Sequence, residues 1–381
     1  MTETSTRFKS RTKRPSGRPE LYTSYSQHLR MLNTRPKFVS VTAIVAVAAL
    51  LPWVFDDQTL SLLGLGLAAS IGAIGLNLVT GYAGQVSLGH AFFLAIGAYT
   101  AAALSGDPED NELIGFGVTN VVVWLLAAGL VAAFFGVIVA PLATRLRGLY
   151  LAIVTLGLVF IGEHIFKEWP ELTGGPGVGR PGPVPELFGV GLNTPGDFLT
   201  AEQKLYLLML VTLIIFALLA RNLVRSKVGR AFAAIRDRDI AAEVIGVNLT
   251  RYKVLAFAVS SFFAGVAGAL LYTITGFIEP SSFNLLLSVQ YIAMVLIGGV
   301  ATISGSILGA MFITLIPALT RQLPNVAPFI SGDATKAFNV FQLETVLYGL
   351  LIIGFLIFEP RGLFGIWIRI RNYWKAWPFT Y

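Results

Sequence analysis

The chain has 381 residues, of which 55% are hydrophobic and only 13% are charged, with a mean hydropathy of +0.72. Soluble domains carry about 25% charged residues, so the composition excludes an ordinary soluble protein. There is no cysteine, which excludes disulfides, thiolate metal sites and cysteine nucleophiles. The net charge of +7 reflects the sidedness of a membrane protein, and no nucleic-acid partner is expected.

The first 37 residues form a polar, basic tail, with nine Lys or Arg against Glu3 and Glu20. The tail has no apolar core region of the kind found in a secretory signal peptide. We predict a disordered cytoplasmic tail over 1–37, and the alternative is an anchor on anionic lipid.

Long apolar runs then predict an all-α polytopic membrane protein with about ten transmembrane segments in a lipid bilayer. The segments are 38–55, 60–80, 84–104, 118–140, 149–166, 204–221, 253–275, 285–303, 305–323 and 343–358. Segment 84–104 contains Gly, Gln, Ser and His, which also suits a broken or re-entrant helix near 81–104. A transmembrane permease domain over 38–365 follows from these runs.

The basic residues predict which side of the membrane each loop faces. With the N-terminus in the cytoplasm, all but five of the 28 Lys and Arg residues fall in cytoplasmic segments. The five exceptions are Lys167, Arg180, Lys204, Arg321 and Lys336. We therefore expect both termini to be cytoplasmic, including a short C-terminal tail over 366–381.

Two loops stand out between the predicted spans. The external loop 167–203 is rich in Gly and Pro, which predicts an ordered, turn-rich lid or a flexible cover. Its chance match to GxGxxG is not a nucleotide site, because no strand precedes it and prolines interrupt it. The cytoplasmic loop 221–253 carries eight Lys or Arg, with apolar residues at helical spacing between them.

This cytoplasmic loop predicts a helix over 228–246. Asp239 could cap a second short helix within it, and Gly246 could end that helix. We expect the apolar Val228, Phe232 and Ile235 to supply contact area for a partner, while Arg230, Arg236 and Glu243 orient the docking. The alternative is that the loop lies on anionic lipid.

Catalytic signals are absent from the sequence. There are only three His, no HExxH or GxSxG motif, and no Gly-Lys dipeptide, which excludes a Walker A phosphate loop. We therefore expect neither an enzyme nor a metal or cofactor site. If ATP powers this protein, a separate subunit must hydrolyse it.

Polar and glycine residues inside the apolar segments suggest a path for a solute. Polar side chains in lipid usually face a bundle interior or a water-filled path, and glycine allows close approach or unwinding. The alternative is interhelical hydrogen bonding in a packed bundle. The candidate path residues are Asn77, Gly81, Gln85, Ser87, Gly89 and His90, with Gln290 and Ser304 in a second Gly-rich region. Segments 81–97 and 298–314 are weakly similar to each other, as in an internal repeat. Ionisable residues are scarce in the apolar runs, which disfavours a proton-coupled carrier.

Several stretches together resemble the permease subunits of bacterial branched-chain amino acid ABC importers of the LivM type. They include GLNLVTGYAGQVSLGHAFFLAIGAYTAA at 75–102, RGLYLAIVTLGLVFI at 147–161, WPELTGGPGVG at 169–179, GRAFAAIRDRDIAAEVIGVNLTRYKVLAFAVSSFFAGVAGALL at 229–271, LIGGVATISGSILGA at 296–310 and YGLLIIGFLIFEPRGLFG at 348–365. The resemblance runs in collinear order over about 60–365.

The resemblance implies a multi-pass permease of the bacterial inner membrane. It implies a sister permease subunit in a heterodimer, two ATP-binding subunits and a periplasmic amino-acid-binding protein as partners. It also implies that the loop 221–253 is the coupling element. On this chain that element places Arg230, Ala234, Ala241, Ala242, Glu243 and Gly246 at the ATPase contact. The order Ala-Ala-Glu departs from the Glu-Ala-Ala of other importers.

Alternative functions stay open at this point. Permeases for urea or short-chain amides are similar to this family, although the LTGGPGVG loop favours the amino acid group. An ion- or proton-coupled secondary carrier belongs to another class, and uptake that survives an uncoupler and needs a co-purifying ATPase would separate the two.

Overall fold

The computed structural model describes residues 35–110, 112–146, 148–182, 185–196, 198–320 and 340–376. The predicted tail over 1–37 therefore lies almost entirely outside the described residues. The chain divides between Ala48 and Ala49 into two units. In the first unit, the described residues belong to helix α1, Arg35–Leu50. The remaining elements belong to the second unit.

Helices dominate the second unit, so the all-α prediction is confirmed. The α-helices are α2 (Asp57–Asn77), α3 (His90–Ser105), α4 (Val121–Arg145), α5 (Leu149–Lys167), α6 (Pro170–Thr173), α7 (Ala201–Arg225), α8 (Lys227–Val244), α9 (Leu249–Thr275), α10 (Leu285–Gly298), α11 (Ile303–Thr320), α12 (Val340–Phe358) and α13 (Gly362–Ala376). A π-helix, Leu78–Tyr82, continues α2, and two 3-10 helices cover Leu51–Trp53 and Pro280–Ser282. Strand β1 (Arg180–Pro181) pairs antiparallel with β4 (Phe277–Ile278), and β2 (Glu186–Leu187) with β3 (Val190–Gly191).

Seven described helical segments are long and apolar enough to cross a membrane. They are Asp57–Tyr82, Val121–Arg145, Leu149–Lys167, Ala201–Arg225, Leu249–Thr275, Pro280–Gly298 and Ile303–Thr320. The α12–α13 pair, bent by 42°, would make an eighth. The predicted segments 38–55 and 84–104 form shorter apolar helices. The polytopic architecture is thus confirmed, with seven or eight full-length candidates among the described residues where we predicted ten.

The core forms where α9 packs against α2, α3 and α4. Small residues allow this close approach. A Cβ on Gly97 would overlap the backbone of Gly265, and a Cβ on Gly268 would overlap the Leu94 carbonyl. Glycine at such contacts is typical of membrane helices whose backbones touch. A larger side chain at Gly97 would therefore force α3 away from α9.

The third predicted segment is broken. The π-helix at the end of α2 is followed by residues 83–89, which form no helix, and α3 begins only at His90. The predicted segment 84–104 is therefore helical only from His90 onward, as one short apolar helix. The interruption brings polar side chains and free backbone groups between packed helices.

The described parts of loop 167–203 fold against the ends of α3 and α9. Arg180 in β1 is buried, and its guanidinium donates to the carbonyls of Leu172, at 3.0 Å, and Ile114. Burial lowers the pKa of this guanidinium. The Tyr272 hydroxyl donates to the Pro181 carbonyl at 3.2 Å. Because these bonds join three separate segments, this part of the loop is an ordered lid.

Candidate functional site

The loop 221–253 contains the predicted helix with the predicted internal break. Helix α8 starts where the Ser226 hydroxyl accepts a hydrogen bond from the Val228 N–H at 3.1 Å. Arg238 has non-helical backbone angles, and the Asp239 carboxylate accepts from the next N–H at 2.9 Å. The loop turns at Gly246, whose φ of +91° favours glycine. The second short helix and its glycine terminus are therefore confirmed.

The apolar face of the first half of α8 packs inside the helical bundle. Phe232 and Ile235 are 0% and 6% exposed, because α8 rests on α7 and α9. The expectation that these two side chains supply contact area to a partner is therefore wrong. Helical spacing identifies an apolar face but does not say what covers it, and here the chain's own helices cover it.

A second apolar group takes the exposed position. Ile240, Val244 and Ile245 are 68%, 83% and 76% exposed; the first two lie in the short helix after the break, and Ile245 caps its end. We call these three residues the apolar tip. Of the other predicted coupling residues, Arg230, Arg236, Ala241, Glu243 and Gly246 are exposed, Ala234 is half-buried and Ala242 is buried. The sequence does not single out this tip, because apolar residues occur in both halves of the loop and spacing does not say which half is covered.

Arg236 connects α8 to the end of α2. Its Nη1 donates to the Gly81 carbonyl at 3.1 Å, and its Nε pairs with Asp237 at 3.2 Å. The backbone at Gly84 also lies against the Arg236 side chain. A displacement of α8 would therefore be transmitted directly to the π-helix and the break before α3.

Asn77 joins α2 to the turn between α10 and α11. Its amide donates to the Thr302 carbonyl at 3.0 Å and to the Ser306 hydroxyl at 2.7 Å, and its Oδ1 accepts from the Ala301 N–H at 2.8 Å. Gly81 lies beside this network, since a Cβ there would meet both Asn77 and Ala301. Gly81 and Ala301, one from each of the two similar Gly-rich segments, therefore meet beside Asn77. Its contacts match the interhelical hydrogen bonding considered as the alternative to a path.

The start of α3 is held by side chains from other helices. The Leu88 N–H donates to the Thr155 hydroxyl at 2.9 Å, and the Ala91 N–H donates to the Ser288 hydroxyl at 3.0 Å. Ser87 accepts from the Gly89 N–H at 3.3 Å. Thr155 and Ser288 were missed because each lies alone in an apolar run, with no local pattern to mark it.

Several buried polar atoms, some of them at this helix start, have no hydrogen-bond partner among the described residues. They are the Gln85 amide atoms, His90 Nε2 and the hydroxyls of Tyr99, Ser261 and Tyr291. The His90 ring lies 4.9 Å from the Tyr291 ring, centroid to centroid. Buried polar groups normally find a partner, so these atoms are available to water or to a passing solute.

A cavity of about 670 Å³ opens between α2, α9, α10, α11 and α12. Its polar lining residues are Gln58, Thr59, Ser61, Gln290, Tyr291, Thr314 and Tyr348, and the others are apolar. Within the described ranges no charged side chain lines it. Tyr291 separates the cavity from His90, so Gln290 and His90 lie on opposite sides of one aromatic wall. Ser304, in contrast, is exposed on the surface, and the neighbouring hydroxyl of Ser306 contacts Asn77 instead.

Metal binding is not indicated in the part of the chain that the structure describes. No group of three or more His, Asp or Glu side chains there could hold a metal ion. The site is therefore a set of three connected features: the apolar tip, the Asn77 network and the cavity with its aromatic wall.

Comparison of the sequence with known proteins identifies a family and several relatives. The family of the permease component of branched-chain amino acid transport systems matches residues 58–356. The high-affinity branched-chain amino acid transport system permease protein LivM of Salmonella typhimurium is 32% identical over 337 residues, which are 84% of this chain and 73% of that protein. LivM of Escherichia coli K12 is 31% identical over 339 residues, covering 85% and 74%.

A relative described for a different solute also matches. The autoinducer 2 import system permease protein LsrC of Escherichia coli strain HS is 30% identical over 322 residues, covering 79% of this chain and 86% of that protein. No solved structure matches this chain. Because the family match runs from α2 into α12, it includes the loop, the network and the cavity. The chain therefore belongs to the family of permease components of branched-chain amino acid transport systems.

Proposed function

We propose that this permease component imports branched-chain amino acids across a bacterial inner membrane as one subunit of an ABC importer. In this proposal it pairs with a sister permease, separate ATP-binding subunits drive it, and a periplasmic binding protein delivers the solute. Both termini face the cytoplasm. The likeness to two LivM proteins supports the amino acid as solute.

The observation that carries the coupling part of the proposal is the exposed apolar tip. Apolar side chains exposed together on a loop outside the membrane are typical of a protein interface. Ile240, Val244 and Ile245 would bury themselves in an ATP-binding subunit, while Arg230 and Glu243 at the rim steer the docking. The chain lacks a phosphate loop of its own, so the energy must enter through such a contact.

The route from the tip to the solute follows the hydrogen bonds already described. Movement of α8 reaches the Gly81 carbonyl through Arg236, and Gly81 lies beside the Asn77 network. Asn77 in turn holds the turn between α10 and α11, the two helices that line one side of the cavity. Nucleotide-driven motion of α8 would therefore change the cavity and the helix start at His90 together.

The cavity suits a zwitterion with an apolar side chain that is held only briefly. Its apolar wall can accept an aliphatic side chain, while Gln58, Thr59 and Gln290 offer uncharged dipoles to the ammonium and carboxylate. Without a full opposite charge in the lining, binding stays weak, which a delivery protein of high affinity would tolerate. The buried amide of Gln85 and Nε2 of His90 continue this polar route beyond the aromatic wall.

A second candidate solute class follows from the LsrC relative and from the uncharged lining. Small neutral polar solutes, including urea and short-chain amides, also fit a cavity that presents dipoles alone. A secondary carrier is less well supported, because proton coupling commonly uses ionisable residues at membrane depth.

The test is uptake by the complete complex, co-purified with the products of neighbouring genes and reconstituted in vesicles. We expect ATP-dependent leucine uptake that isoleucine and valine compete for, that survives an uncoupler and that stops without the ATP-binding subunits. Stronger competition by urea, acetamide or autoinducer 2 would reassign the solute. Uptake that the permease performs alone and that an uncoupler abolishes would instead indicate a secondary carrier.

A further inference from the structure

The last helix, α13, begins where the chain leaves the membrane. Helix α12 has 19 residues and is about 28 Å long, close to the roughly 30 Å of a bilayer's hydrocarbon core. By length, α12 therefore covers most of that thickness before α13 begins. After a short break at Glu359–Arg361, α13 leaves at an angle of 42°. This geometry places α13 at the membrane surface on the side where α12 ends.

One side of α13 is fixed against the rest of the permease. Gly362, with a φ of +65°, and Gly365 are both buried. A Cβ on Gly362 would meet the backbone of the turn between α10 and α11, at Gly298 and Gly299. Because backbone lies against backbone here, α13 cannot rotate freely about its axis.

Four large residues of α13 beyond this contact are exposed. Trp367, Ile370, Tyr373 and Trp374 are between 47% and 72% exposed and recur every three or four residues. We call these four residues the aromatic arc. They are too large and too apolar to be left in water without a partner.

The charges around the aromatic arc are all of one sign. The sequence of α13 contains no Asp or Glu, and Arg361 and Arg371 are exposed beside it. Glu359, at the break, is already paired with Arg369 through contacts of 2.7 and 3.0 Å. The surface that surrounds the arc is therefore positively charged.

We propose that α13 is an interfacial helix whose aromatic arc inserts between the headgroups of the bilayer and whose cations bind anionic lipid. Trp and Tyr prefer the headgroup level, and basic residues beside an apolar face are typical of helices that lie in the membrane plane. The helix is covalently continuous with a membrane helix, so the bilayer is its nearest apolar surface. The chemistry recognised is the negatively charged headgroup of a phospholipid.

The absence of cysteine makes a direct test possible. We would prepare Ile370→Cys and Asn372→Cys, which lie on opposite faces of α13 because successive residues turn by about 100°. Each full-length variant is spin-labelled in vesicles of phosphatidylcholine with phosphatidylglycerol. We expect the label at 370 to collide with oxygen dissolved in lipid and to be protected from a water-soluble nickel complex. The label at 372 should show the reverse.

The charges are tested by adding Arg371→Gln and Lys375→Gln to the Ile370→Cys chain. Each neutralised cation should weaken headgroup binding about fivefold, so the double change should shift the inserted fraction by about 25-fold in equilibrium constant. Arg251→Gln, an exposed cation on another helix, serves as the matched control. It should leave the inserted fraction reported by the label at position 370 unchanged.

Three results would overturn the proposal. The first is free access of the nickel complex to position 370 in vesicles that contain phosphatidylglycerol. The second is insertion that is the same with and without anionic lipid. The third is protection at 370 that appears only when ATP-binding subunits are added, since this would make the aromatic arc a protein interface. None of these outcomes bears on which solute is transported.

Discussion

Replacing the apolar tip with serine, as I240S/V244S/I245S, should detach the ATP-binding subunits and leave the permease itself folded. Burying one Val or Ile side chain contributes about 1.5–3 kcal/mol. Scaled by exposures of 68%, 83% and 76%, the three side chains offer at most about 3–7 kcal/mol to a partner. Ordering the loop on binding offsets part of this gain. We therefore expect the serine variant to lose binding free energy near the lower end of this range, which weakens the Kd about 100-fold.

The measurement is the affinity between purified permease complex and ATP-binding subunits, together with the thermal midpoint of the permease. The tip variant should bind about 100-fold more weakly while its stability changes by no more than about 0.5 kcal/mol, since most of each side chain is exposed. The matched comparison is F232A/I235A. Phe232 and Ile235 are buried, so their truncation should cost about 2–5 kcal/mol each and lower the midpoint.

Unchanged affinity of the tip variant for the ATP-binding subunits would contradict docking through the apolar tip. The outcome also separates docking from the alternative that the loop rests on anionic lipid. The serine substitutions change no charge, so a loop held only by its Lys and Arg should keep its position and the permease its activity. Loss of ATPase binding at constant charge would therefore exclude the lipid alternative.

Three further changes test the rest of the structure. Asn77→Ala removes three hydrogen bonds and leaves the Ala301 N–H without its acceptor, so the free energy of unfolding should fall by about 3 kcal/mol. An unchanged midpoint in a denaturant titration would contradict the network. Phe198 and Val244 are 93% and 83% exposed, so single cysteines there should be open to a thiol reagent. A cysteine at 198 should react in intact cells and one at 244 only after permeabilisation, whereas the reverse order would invert the topology. Arg180→Met removes two hydrogen bonds from the guanidinium to carbonyls, worth about 1.5–3 kcal/mol each, and should speed proteolysis of loop 167–203. An unchanged cleavage rate would show that the order of this loop does not depend on Arg180.

In the loop 221–253, the periodicity of the sequence predicted the helix correctly but not the surface that it exposes. Alternation of charges and apolar residues predicted a helix, and Asp239 and Gly246 predicted its internal break and its end, all of which the structure contains. The same pattern misassigned the contact surface. Two apolar groups lie along this loop, and only packing against α7 and α9 decides that Phe232 is covered while Val244 is not.

The candidate path shows a similar division. Asn77 and its neighbours were found because polar residues are rare in apolar segments and therefore conspicuous. Their partners lie more than 200 positions away in the chain, so no local pattern could identify them. Ser304 was chosen where Ser306 makes the contact, since two residues along a helix turn the side chain by about 200° to the other face.

The sequence by itself determined the membrane class, the helical secondary structure and the predicted sidedness. These properties depend on local quantities: the length of an apolar run against the bilayer thickness, the need to satisfy every backbone hydrogen bond within a segment, and the count of basic residues per loop. Only the tertiary structure decided how much of each run is one continuous helix, as at the break before His90. It also decided which polar groups are satisfied and which apolar faces stay exposed, because both depend on contacts between residues that are distant in the chain.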